Sequence, residues 1–155
     1  MSKHIRKRHN ISLILYHFVC PAKFRKKIFT EEVEKSLKYV CEEIEQRFEM
    51  YFVEIGADED HVHFLIQSVP SYSPKMIIQK VKSITARELR QLHPEINKKL
   101  WGGKFWTSGY YVNTVGRKGN EESVKNYVQQ QGMNYKKLYR NDQLLQMPLF
   151  DPVTA

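Results

Sequence analysis

Two histidines separated by one apolar residue, in Asp60-His61-Val62-His63-Phe64-Leu65, are the first place where this sequence could do chemistry. On an extended strand, residues i and i+2 project from the same face, about 6.6 Å apart along it, so both imidazoles can share one metal ion. Spacing alone also allows two half-buried strand histidines with no ligand, because a three-residue pattern is short. Neither Cys20 nor Cys41 stands at zinc-ligand spacing, and a closed structural zinc site takes four nitrogen or sulfur ligands. An open site fits better. Two imidazoles, one oxygen donor, water and a substrate phosphate suit Mg²⁺ or Mn²⁺, and Mn²⁺ is the better match to nitrogen. A second feature lies late in the chain, where Asn126-Tyr127-Val128-Gln129-Gln130-Gln131 sets Tyr127 and Gln131 four residues apart. On a helix that spacing puts phenol and carboxamide on one face. Periodicity by itself favours Tyr127 as a core aromatic, since the chain has nine tyrosines and composition singles out none of them.

Several elements must position these groups. Asn10 to Val19 is apolar and rich in β-branched residues, which predicts a central strand buried on both faces, ended by Pro21 and the basic run to Lys27. Thr30 then caps a helix that opens with Glu31, Glu32 and Glu34 and carries Val33, Leu37, Val40, Cys41, Ile44 and Phe48 at helical spacing. Met50 to Ile55 and His61 to Ser68 predict a hairpin around an acidic turn, Gly56 to Asp60. In its second strand Val62, Phe64 and Ile66 face away from the histidines and pack under a helix, anchoring the ligands from behind. Ser73-Pro74 opens another helix, with Ile77, Ile78, Val81, Ile84 and Leu89 on its apolar side, ending near Pro94. Leu100 to Trp106 and Gly109 to Val115 predict two further short strands. Gly116 to Asn120 is a glycine-flanked linker, Glu121 to Gln131 a helix closed by Gly132, and the polar tail beyond about residue 133 is expected to be less ordered. The order strand, helix, strand, strand, helix, strand, strand, helix contains the split βαβ pattern of a ferredoxin-like α+β sandwich: a central antiparallel sheet with helices, plus a C-terminal tyrosine-bearing helix. Its 155 residues are expected to form a single domain, 1–155.

With 25 Lys plus Arg against 17 Asp plus Glu, the chain carries +8, and a polyanion is the natural partner. Arg6, Lys7, Arg8, Lys82, Arg87 and Arg90 are candidates for contact with a nucleic-acid backbone, with salt-dependent binding. Exposed aromatics such as Trp101, Trp106, Tyr110 or Tyr111 could stack on unpaired bases, although aromatics in small domains are more often core. No apolar run approaches the roughly 20 residues of a membrane span, and Met1 to Asn10 lacks the features of a secretory signal, so a cytoplasmic protein with free thiols is expected. No G-x-x-x-x-G-K-[ST] phosphate loop is present, so no nucleotide cofactor is expected.

The histidine pair flanking a hydrophobic residue on a strand, together with a late helix bearing Tyr127 and, one turn on, Gln131, resembles the single-tyrosine HUH transposases of small bacterial insertion sequences mobilised as single-stranded DNA. The likeness in length and element order covers about Asn10 to Gln131. It implies that His61, His63 and Gln131 bind a divalent metal and that Tyr127 is the nucleophile, forming a 5′-phosphotyrosine and a free 3′-OH. It also implies a homodimer in which the tyrosine helix of one subunit completes the other's site, and DNA hairpins at element ends as partners. Two competing expectations remain. A non-catalytic ferredoxin-like nucleic-acid-binding domain would explain the charge but gives the histidines and Tyr127 no task. A relaxase or replication initiator would share the chemistry but usually carries further domains.

Overall fold

The computed structural model describes residues 4–115 and 136–140. After a small two-stranded ribbon, β1 (Ile5–Arg6) with β2 (Ile11–Ser12), the chain forms β3 (Ile14–Pro21), α1 (Glu31–Arg47), β4 (Met50–Ala57), β5 (His61–Ser68), α2 (Pro74–Leu92), α3 (Glu95–Lys99), β6 (Tyr111–Val115) and β7 (Lys136–Arg140). The five-stranded sheet has the order β6-β3-β5-β4-β7, and every neighbouring pair is antiparallel. Strands β3 and β4, joined through α1, run parallel with β5 between them. This is the split βαβ arrangement expected from the sequence, a ferredoxin-like α+β fold, extended at one edge by β7.

Local chemistry explains why the helices start where they do. Thr30 accepts a hydrogen bond at Oγ1 from the Val33 amide (3.3 Å) and Ser73 accepts one from the Met76 amide (3.0 Å), so each hydroxyl satisfies an N–H that the helix itself leaves open. Pro74 follows at the first helical position. Both helices cover one face of the sheet, where Phe18, Cys20, Phe52, Ile55, Val62, Phe64 and Ile66 meet Leu37, Ile44, Ile77 and Val81 in a single core. An extra residue in β4 between Phe52 and Glu54 forms a bulge that lets Phe52 and Ile55, three apart, both reach that core.

Several expectations are corrected here. Leu100 to Trp106 is not a strand: α3 precedes it, Trp101 and Gly102 take left-handed backbone angles (φ 53° and 70°), and Trp106 keeps one isolated bridge to Ala22. The aromatic richness that suggested a strand reflects burial of Phe105 and Trp106, whose indole donates to Thr85 Oγ1 at 3.0 Å. The first expected strand is divided, with β2 pairing β1, and β3 runs on through Pro21. Within the tail, expected to be less ordered beyond about residue 133, residues 136–140 form β7, which pairs with β4, and Leu138 and Tyr139 pack on the core; the end of the tail lies outside the described residues. The linker 116–120 and the helix expected over 121–131 lie outside the described residues. Both cysteines are free thiols buried in the core. Among the described residues no helix is long and apolar enough to cross a membrane.

Candidate active site

Strand β5 divides its residues as its period requires: Val62, Phe64 and Ile66 enter the helix-covered core, and His61, His63, Leu65 and Gln67 line the opposite face. Register places His63 beside Val19 on β3 and Gly56 on β4, and His61 beside Pro21, so the pair sits at the C-terminal end of β3. His61 and His63 are both buried, with ring centres 5.0 Å apart in an edge-to-face arrangement.

Each imidazole is oriented by a neighbour. Asp60 Oδ1 lies 2.8 Å from His61 Nδ1, and Asp60 is itself held by Arg25 through Nε (3.0 Å) and Nη2 (3.3 Å). Burial alone would raise the Asp60 carboxyl, but hydrogen bonds from His61 and Arg25 and their charges outweigh it and keep the group below its ordinary range. A carboxylate at Nδ1 fixes the proton there and leaves Nε2 as a lone-pair donor. That Nε2 is buried and without a hydrogen-bond partner. For His63, Nδ1 lies 3.2 Å from Nε2 of His17, whose ring stacks on it at 5.3 Å between centres. Burial pushes His63 down to about 2, helped by the neighbouring His17 and His61, and pushes His17 down to about 4. Both are therefore neutral at physiological pH, the form in which imidazole binds metal.

A second possible cation position overlaps the first. Asp58, Asp60 and His61 offer ligand atoms within 4.8 Å of one another, with Asp58 exposed. Because Arg25 already neutralises Asp60, a cation there would compete with a guanidinium. Tyr127 and Gln131 lie outside the described residues. Sequence reasoning missed Asp58, the orienting part of Asp60 and the roles of Arg25 and His17. Only Asp60, adjacent to the pair and acidic, gave a usable signal, since His17 and Arg25 reach the site through pairing of distant segments.

The basic candidates separate by surroundings. Arg6 and Arg8 are exposed, and Lys7, also exposed, pairs with Glu49. Lys82 donates to the carbonyls of Thr107 (2.7 Å), Ser108 (3.4 Å) and Gly109 (3.3 Å), fastening that loop to α2. Arg87 is exposed, and half-buried Arg90 has Nε and Nη2 buried without partners; both line a groove of about 600 Å³ with Lys75 and Lys104. Of the aromatics, Trp106 is buried, whereas Trp101 is 82% and Tyr111 41% exposed.

Residues 10–131 match the family described as "Transposase IS200 like". The chain is 26% identical over 116 residues to the ISDra2 transposase TnpA of Deinococcus radiodurans, covering 75% of this chain and 82% of that one. It is 25% identical over 116 residues to the transposase for insertion sequence element IS200 of Salmonella typhimurium, covering 75% of each. The fold is shared with a crystal structure from D. radiodurans assigned as a transposase (TM-score 0.67, 24% identity, 82% of this chain and 97% of that one). It is also shared with a REP-associated tyrosine transposase bound to a REP hairpin (TM-score 0.52, 10% identity, 80% of this chain and 67% of that one). A match spanning most of the chain, on a fold that its relatives share and with a histidine pair buried on one sheet face, makes this protein a member of the IS200-like, single-tyrosine transposase family.

Proposed function

We propose that the protein is a metal-dependent endonuclease and strand transferase acting on single-stranded DNA at insertion-sequence ends, with Tyr127 as nucleophile. The observation that carries this is the His61 Nε2 atom, buried, unpartnered and fixed as a lone-pair donor by Asp60, beside a neutral His63. This donor set fits a divalent cation, Mg²⁺ or Mn²⁺, held by His61 and His63 with Gln131 as an oxygen ligand. Such an ion supplies Lewis-acid polarisation of the scissile phosphate and stabilises the charge developing on it.

The chain's own residues do the rest. The Tyr127 oxygen attacks the scissile phosphorus, the bond to the 3′ oxygen breaks, and the phenolic proton passes to solvent or a nearby base. The products are a 5′-phosphotyrosine and a free 3′-OH. Since the phosphotyrosine keeps the energy of the cleaved phosphodiester, the reverse attack by a 3′-OH rejoins strands without a nucleotide cofactor. Arg25 and Asp60 orient His61, and the cations Arg6, Lys7, Arg8, Arg87 and Arg90 favour a DNA backbone. The +8 balance supports a DNA partner, as does the hairpin-bound relative of the same fold. The working unit is a homodimer in which one chain's Tyr127 serves the other's histidines.

Labelled single-stranded DNA carrying the element ends, incubated with Mn²⁺ and run on a denaturing gel, tests the proposal. The wild type should form a covalent adduct that chelator prevents, and Tyr127→Phe should form none while keeping its DNA affinity. An adduct on Tyr127→Phe, or undiminished cleavage in chelator, would overturn it.

A further inference from the structure

We infer that Phe24 and Trp101, set among Lys23, Arg25, Lys26 and Lys27, form a stacking platform for unpaired bases of the DNA strand that enters the histidine site. The inference rests on the proposed single-stranded DNA substrate and names a surface that would hold it. Phe24 is 61% and Trp101 82% exposed, the two most exposed large hydrophobic side chains among the described residues. A single exposed ring is ordinary on a protein surface, but here two share one cation-rich surface, linked through Lys26, which follows Phe24 by two residues and lies over Trp101.

The backbone adds a second, independent observation. Among the described residues, Phe24 (φ 58°), Arg25 (φ 53°) and Trp101 (φ 53°) are the non-glycine residues in the left-handed region. All of them lie on this surface. A side chain rarely adopts that conformation, and strained residues gather where function requires a particular orientation. Here the strain has visible results: Phe24 and Trp101 point outward, and the Arg25 guanidinium grips Asp60.

Charge identifies the occupant. Lys23 Nζ lies 5.2 Å from the centre of the Phe24 ring and Lys26 Nζ 5.2 Å from that of Trp101, so each ring has an ammonium beside it. Lys99 donates to the Lys27 carbonyl, bringing another cation to the patch. Of the nearby carboxylates, Glu59 and Asp60 are paired with Lys27 and Arg25, while exposed Asp58 lies beside Asp60, so cations outnumber carboxylates on this surface. Rings for bases interleaved with cations for phosphates is how sequence-tolerant single-strand surfaces are built. Position agrees as well: Arg25, Asp60 and His61 form a continuous hydrogen-bonded chain, so a base on Phe24 has its phosphate close to the metal-binding face.

The test uses the full-length Tyr127→Phe protein in chelator, so that no chemistry intervenes. A mixed-sequence single-stranded oligonucleotide should quench the emission of exposed Trp101, leaving that of buried Trp106. An abasic strand of equal length, which offers phosphates without bases, should bind more weakly and quench little. Trp101→Gly and Phe24→Gly should each weaken oligonucleotide binding about 5- to 150-fold, equivalent to ~1–3 kcal/mol per stacked base, with an unchanged salt slope. Both should also raise the melting temperature, because glycine accepts the left-handed angle. Equal binding and quenching by normal and abasic strands, or unchanged affinity in both glycine variants, would overturn the platform. Capture of an acidic polypeptide in preference to the oligonucleotide would do the same. Failure of adduct formation in the wild type alongside Trp101 quenching in this protein would remove the catalytic reading and leave the platform standing.

Discussion

Replacing Asp60 tests whether the histidine pair is a metal centre and how it is held. In Asp60→Ala the His61 Nδ1 proton loses an acceptor 2.8 Å away in a buried position. An orphaned buried donor costs about 1–3 kcal/mol of stability, while the exposed Arg25–Asp60 pair contributes only about 0–1 kcal/mol. The larger effect falls on metal binding. Free of Asp60, the ring can flip or carry its proton on Nε2, and loss of such an orienting partner typically weakens metal affinity about 10- to 100-fold, or ~1.4–2.7 kcal/mol. Asp60→Asn separates orientation from ligation, because its amide oxygen can still accept from Nδ1 but carries no charge. Titration of the purified proteins with Mn²⁺, with free ion followed by electron paramagnetic resonance, should rank affinity wild type, then Asn, then Ala. Wild-type affinity in Asp60→Ala would refute the orienting role. If Asn binds as weakly as Ala while Arg25→Met binds more tightly than wild type, Asp60 ligates the ion directly, and the centre is the one that Asp58 shares.

Acid should unfold the protein through its buried histidines. His17 and His63 have folded pKa values lowered from 6.5 to about 4 and about 2, so below pH 6.5 the unfolded chain binds more protons than the folded one. Stability then falls as pH falls, by up to about 1.4 kcal/mol per pH unit for each histidine, and between pH 6.5 and about 4 urea midpoints of His17→Phe should fall about half as steeply as wild type. An unchanged slope in His17→Phe would show that His17 is not held neutral. For the shared dimer, a His61→Ala/His63→Ala chain mixed with Tyr127→Phe under subunit exchange should regain cleavage, with the adduct on the histidine-mutant chain. Mixed dimers verified to have formed yet wholly inactive would refute sharing.

Much of this arrangement is legible in the residues because it rests on local chemistry. Thr30 and Ser73 are hydroxyls followed by helical periodicity, and His61-Val62-His63 is a period-two pattern on one strand, so caps, helices and the facing of the pair could all be read directly. The parts that escaped depend on contacts between distant segments. His17 looked like one more inward residue of a buried strand until β3 paired with β5 and set it against His63. Arg25 and Trp101 owe their directions to left-handed backbone angles that residue type does not forecast. Leu100 to Trp106 misled because aromatic content tracks burial as well as strand formation. Strand β7 was hidden by the polar, Pro-containing composition of the tail around it.

Strand β7 also gives the segment that carries Tyr127 and Gln131 a fixed point of anchorage. Val115 lies on the edge strand β6 at the end remote from the histidines, and Lys136 lies on the other edge beside Ala57, level with Val62 between the two histidines. Gln131 precedes that anchor by five residues and Tyr127 by nine, so backbone length confines their Cα atoms to radii of about 18 Å and 32 Å around Lys136. The same chain's β5 is two strand spacings from β7, about 10 Å, so its own histidines lie within both radii. The proposed sharing of Tyr127 between subunits must obey the same leash. It requires the partner's histidine end to lie within roughly 32 Å, plus a side-chain length, of this chain's Lys136. Two subunits docked with those ends further apart could bind DNA together but could not complete each other's sites.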